Sequence, residues 1–185
     1  DDDSRRGLLQ TSLVSYRNAL ANPARTYRND PARVYGAMAL SEIHLQNPQE
    51  ALRLLEEGRK HIAQPWRDER ATADITALLA NPRGLALSAL GRHEEALAAF
   101  EEALAASGRY QAARINIATE LSRKALSGDT IDEAALLRAK RELNEYEQNR
   151  SRDELSIEAR ARIALLEYDA RLRASGKGSA TDVPT

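Results

Sequence analysis

"LGRHEEALAAFEEAL", residues 90–104, is the most patterned stretch in the chain. A turn at Gly91 opens it, and Ala96 and Ala103 then stand seven apart, two helical turns, with Phe100 between them. That spacing puts all three on one face of a helix. Small side chains at its ends let another helix approach closely, and the phenylalanine fills the remaining space. The alanines are therefore read as packing points, and the stretch as the second arm of a helical hairpin.

The composition supports a core of this kind. Among 185 residues, 42% are hydrophobic and 30% charged, which describes a folded chain and not a disordered one. Aromatics make up only 4%, leaving Ala and Leu to build the interior. The net charge of −1 argues against a protein dedicated to nucleic acid. Arginine outnumbers lysine 23 to 4, a bias associated with GC-rich bacterial genomes. No cysteine is present, so disulfides, thiolate nucleophiles and cysteine-bound zinc are excluded. No apolar run approaches the roughly 20 residues that span a bilayer. The abrupt Asp1-Asp2-Asp3 start raises the expectation of an upstream segment, such as the cysteine that carries a bacterial lipoprotein's lipid anchor. On that ground the periplasm or envelope is favoured over the cytoplasm.

Helical signals recur along the chain. Leu9, Leu13, Tyr16 and Leu20 form one stripe, stopped by Asn22-Pro23. Asp30-Pro31 reads as an N-cap followed by a first-turn proline, opening a helix to about Gln46. Asn47-Pro48 repeats the device, with Ala51, Leu52, Leu55 and Ile62 as the next stripe and Pro65 as its end. From Asp68 to Leu90 the pattern is helical but holds Pro82, predicting one kinked helix or two short ones. Gly108 is expected to cap the helix after Gly91, and another helix follows from Tyr110 to Leu126. Thr130 with Glu133, and Ser151 with Glu154, read as capping boxes. Their stripes are Ile131, Ala135, Ala139, Leu143, Tyr146, and Ile157, Ala161, Leu165, Tyr168, Leu172. Residues 175–185 are small and polar, the composition of a flexible tail. About eight helices make an all-α array.

Self-similarity separates a solenoid from a bundle. "NPQEALRLLEEG" (47–58) matches "GRHEEALAAFEEA" (91–103), and "GDTIDEAALLRA" (128–139) is a looser copy. Aligned on Ala51, Ala96 and Ala134, the copies lie 45 and 38 residues apart. The pattern resembles the tetratricopeptide repeat (TPR), a helix-turn-helix unit with a small residue in its first helix and Ala, an aromatic and Ala in its second. Gly84, Ala96, Phe100 and Ala103 match; Leu87 stands where the family prefers tyrosine, and Ala80, Arg83 and Gly108 where it uses Trp, Leu and Pro. In the first copy Ala39 and Leu55, and in the third Ser122 and Arg138, take the small and aromatic places. The resemblance implies a right-handed α-solenoid of antiparallel helix pairs. Its parts would be an arginine-rich capping helix and linker at 1–31, pairs at 32–63, 68–107 and 109–147, a capping helix at 151–174 and the tail.

Chemistry-bearing constellations are scarce. His44, His61 and His93 show neither HExxH nor i,i+4 pairing and read as isolated side chains. Glu94-Glu95 and Glu101-Glu102 read as a solvated helix flank, and "GKGS" (176–179) lacks strand and helix context. No catalytic residue, cofactor or metal site is assigned. Residues 4–35 hold six arginines with Tyr16, Tyr27 and Tyr35; Arg17, Arg25 and Arg28 are candidate anion ligands, although solvated arginines and packed tyrosines are preferred. That segment leaves an anion- or nucleic-acid-binding module as an alternative function. Trp66 suits either a partner hot spot or a plug between helices, the plug being preferred.

If the TPR resemblance is followed, the first helices line a groove for a peptide or partner helix. Its inward-facing positions fall on Arg33, Gly36, Leu40 and Ile43, on Asn81, Leu85 and Ser88, and on Asn116, Thr119 and Arg123. The full Lys/Asn/Arg set with which some members clamp a C-terminal carboxylate is lacking. The expectation is a protein-binding scaffold or adaptor, with a self-associating structural protein as the alternative.

Overall fold

The computed structural model describes residues 2–21, 30–126, 131–149 and 153–174. They form eight α-helices and no strand: α1 (Asp2–Ala21), α2 (Pro31–His44), α3 (Pro48–Arg59), α4 (Glu69–Ala89), α5 (His93–Ala106), α6 (Gln111–Leu126), α7 (Glu133–Asn149) and α8 (Glu154–Ala174). Contacts divide the chain into two compact units, Asp1–Ala113 and Arg114–Thr185.

In the first unit α2 packs on α1, α3 and α4, while α4 packs on α3 and α5. The interface depends on missing side chains. A Cβ on Gly84 would lie 2.4–2.7 Å from three ring atoms of Phe100, which is itself 1% exposed. Gly36 likewise faces Leu78 at 2.6 Å and Leu79 at 3.3 Å, and Gly58 faces Tyr35 at 3.0 Å. Around these points Ala39, Ala51, Ala77, Ala96 and Ala103 are fully buried. Burying a side chain the size of Phe100 contributes roughly 1.5–3 kcal/mol, provided α4 keeps its glycine there.

The two hairpins, α2–α3 and α4–α5, turn in the same way. Leu45 (φ −81°, ψ 4°) and Leu90 (φ −89°, ψ 3°) end the first arms. A left-handed residue follows each, Gln46 at φ 64° and Gly91 at φ 73°. Asn47 N–H then donates to Glu42 C=O at 2.8 Å, and Arg92 N–H to Leu87 C=O at 2.9 Å, closing the same six-residue loop. The glycine at 91 adopts this conformation without steric cost, whereas Gln46 holds its Cβ against the local backbone.

The helix starts divide into those that follow the sequence reading and those that depart from it. Asp30 caps α2, its Oδ1 accepting from Ala32 N–H at 3.0 Å. Asn47 makes no such bond on α3; its side-chain amide donates instead to Glu42 at 3.0 Å. α3 stops at Arg59 and not at Pro65, α4 runs unbroken through buried Pro82, and α5 ends at Ser107 in extended geometry, so Gly108 is no left-handed cap. The boxes assigned to Thr130 and Ser151, like Asn22-Pro23 and the 175–185 tail, fall outside the described residues. Among the described residues, Asp132 Oδ1 accepts from Ala135 N–H at 3.0 Å, and Asp153 Oδ1 from Ser156 N–H at 2.9 Å.

In the second unit α7 packs on α8, burying Ala135, Ala139, Leu143 and Tyr146 as its stripe requires. Ala134, the alignment anchor, is exposed. The α8 stripe is inverted: Ile157, Leu165 and Tyr168 are 60%, 69% and 57% exposed, and Ser156, Ala159, Ile163 and Leu166 are buried instead.

Gly84→Ala should lower the free energy of unfolding by about 1–3 kcal/mol through overpacking against Phe100. Adding Phe100→Leu should cost less in that background than alone, as read by urea denaturation of the four proteins of the cycle. Gln46→Gly should raise stability by about 1 kcal/mol, and Gly91→Ala should lower it by a similar amount.

Candidate functional site

The residues assigned to the groove fall into three sets. On α2, Gly36 is buried against Leu78 and Leu79, Ile43 packs on the first unit's core, Arg33 is half-buried, and Leu40 is 37% exposed. On α4, Asn81 is buried while Leu85 and Ser88 remain half-exposed. Gly36 thus sits in the contact of α2 with α4, and neither it nor the buried Asn81 presents a surface to a partner. The accessible part is Leu40, Leu85 and Ser88, with Arg33 at the edge.

On α6, Asn116, Thr119 and Arg123 line one side of an open pocket with Ile115; Leu155, Glu158, Ala159 and Arg162 of α8 line the other. Its volume is about 230 Å³, small for a metabolite site and suited to one or two side chains of a docked segment. The wall is charged and internally paired. Arg123 donates to Glu120 at 2.9 Å, Arg162 to Glu158 at 3.1 Å, and Thr119 Oγ1 to the Ile115 carbonyl at 2.9 Å. Arg114 reaches Glu142 at 2.7 Å and Glu145 at 2.9 Å, fixing α6 to α7 behind the pocket.

The basic start of the chain is partly compensated. Arg17 lies near enough to Glu50 to contribute to the lowering of that carboxyl's pKa, after the larger effects of the hydrogen bond and charge of Arg53. Arg25 and Arg28 fall outside the described residues. Glu102 accepts from Arg59 at 2.9 Å and Arg83 at 3.0 Å, tying α5 to α3 and α4. Glu95 is paired with Arg92 and held below the ordinary carboxylate range by it. His61 stacks on Tyr35 with ring centroids 5.8 Å apart. No group of three or more His, Asp or Glu side chains is placed to hold a metal ion among the described residues, and no helix there is long and apolar enough to cross a membrane.

Trp66 corrects the expectation of a plug. It is 63% exposed, with the Arg67 guanidinium carbon 4.9 Å from its ring centroid. The residue that fills the gap is Arg67. Its side chain is 1% exposed, pairs with Oδ2 of Asp30, and donates to the carbonyls of His61, at 2.9 Å, and Ile62. One arginine thus satisfies two carbonyls left over at the end of α3 and the second oxygen of the carboxylate capping α2. Nothing in local sequence pairs residues 37 positions apart, so this contact was not readable.

Arg67→Met should destabilise the fold by about 3 kcal/mol, since it leaves the Asp30 carboxylate buried and uncompensated. Adding Asp30→Ser, which keeps a cap without a charge, should recover part of that loss in thermal or urea unfolding. Against this geometry, no family model, no curated protein and no solved structure matches the chain.

Proposed function

We propose that the protein is a non-catalytic scaffold whose stacked helical hairpins form a TPR-like, right-handed solenoid that binds a segment of another protein. The observation that carries this reading is the repetition of one hairpin. The α2–α3 and α4–α5 turns share their backbone angles and their closing hydrogen bond, at a sequence offset of 45 residues. Hairpins repeated in tandem bury their small-residue faces on their neighbours and leave the first helices as a binding face. In the first unit that face offers Leu40, Leu85 and Ser88, a modest apolar strip with a polar rim. In the second it offers the Asn116, Thr119 and Arg123 wall of the pocket with α8. A peptide or partner helix carrying apolar anchors suits the first, and acidic or amide side chains suit the second.

Photo-crosslinking residues placed at Leu40 and at Arg123 should capture a different protein from the native host, while the same group at Gly108 should not. Leu40→Glu and Arg123→Glu should each weaken capture about tenfold or more without changing the circular dichroism spectrum. Capture unaffected by either substitution overturns the groove assignment.

A further inference from the structure

α8 is apolar on two opposite sides. One, Ser156, Ala159, Ile163 and Leu166, is buried within the second unit. Lys140 and Glu147 of α7 hold Glu167 and Arg160 on one flank of that side, and the pocket shared with α6 lies along the other. At 100° per residue, Ile157, Ala161, Ala164, Leu165 and Tyr168 fall on the far side. All five are exposed, Leu165 at 69% and Ile157 at 60%. A surface helix ordinarily carries one apolar stripe, with charge opposite it. Residues 175–185 contribute Val183 as their only large aliphatic side chain, so that segment has little with which to cover the stripe.

The order of sizes along the stripe points to its occupant. We infer that a second copy of this chain docks there, α8 against α8 in antiparallel sense, about a two-fold axis passing between Ala164 and Leu165. Counting outward from that point, Leu165 meets Ala164 of the second copy, Tyr168 meets its Ala161, and Ile157 meets its Leu172. A large side chain faces a small one at the two central layers, the arrangement that lets helix axes approach to about 8 Å. Parallel pairing would set Tyr168 on Tyr168 and Leu165 on Leu165 while leaving alanine against alanine, and would pack poorly.

The flanking charges agree. Glu158, Arg162 and Asp169 share one flank of the stripe. In the antiparallel arrangement Arg162 lies within two residues, about 3 Å of axial rise, of Asp169 of the second copy, and the symmetry makes the pair twice. This interface involves neither Leu40 nor Leu85; Glu158 and Arg162 also line the pocket with α6, so the substitutions at Leu165 and Ala164, which lie outside that pocket, distinguish it from the scaffold reading.

Light scattering coupled to size exclusion, over a concentration series of the full chain, should show a mass rising to twice that of one copy. Leu165→Glu, at an exposed position and with an unchanged circular dichroism spectrum, should hold the protein monomeric. The chain has no cysteine, so Ala164→Cys can form a disulfide only between copies. It should crosslink on mild oxidation, while Ala98→Cys, at an exposed position of α5, should not. Arg162→Asp should weaken the dimer roughly tenfold, and Arg162→Asp with Asp169→Arg should restore it. A protein monomeric at every concentration overturns the inference. So does a dimer that survives Leu165→Glu and gives no crosslink at position 164.

Discussion

The first unit depends on the absence of a side chain at Gly84. With any Cβ there, Phe100 would have to leave the position in which it is fully buried, and α5 would retreat from α4. Gly36 and Gly58 impose the same condition between α2, α3 and α4, so three glycines set the spacing of four helices. Such a core is economical in volume but unforgiving. Alanine and glycine contribute little buried area each, so stability comes from how closely the backbones run. The ion pairs from Arg59 and Arg83 to Glu102 then sit at the edge of an interface already closed by shape.

Much of the helical layout was legible because it rests on local chemistry. Asp30-Pro31, the Leu9–Leu20 stripe and the Ala96–Phe100–Ala103 face all act within a turn or two of themselves, and each sits where its pattern places it. The readings that departed involve a choice made at a distance. Asn47 resembles Asp30 in sequence, yet its amide found Glu42 across the turn instead of its own helix. The α8 stripe was ambiguous from the start, since a helix apolar on opposite sides gives periodicity no means of saying which side faces inward. Tryptophan suits a filler by size, but the gap beside Trp66 requires donors for two carbonyls and a carboxylate at once, which the guanidinium of Arg67 supplies and a single indole N–H cannot.

The candidate site shows the same division. An offset carried from Ala39 and Gly84 cannot tell contact positions from open ones. Gly36 is closed off because α4 presses Leu78 and Leu79 on it, and Asn81 is buried as well, while Leu40 and Leu85, one helical turn further on, stay more accessible. On α6 the three assigned residues stay together because α8 leaves room beside them, which is a property of α8 and not of their own repeat.

The clasp between Arg67 and Asp30 also bears on how the first unit comes apart. It joins the residue before α2 to the residue leading into α4, enclosing the whole first hairpin in a ring without a covalent bond. Opening either end of that hairpin breaks a buried charge pair and strips two carbonyls of their donor, which couples the start of α2 to the end of α3. The first hairpin should therefore open as one cooperative piece and not from either end alone.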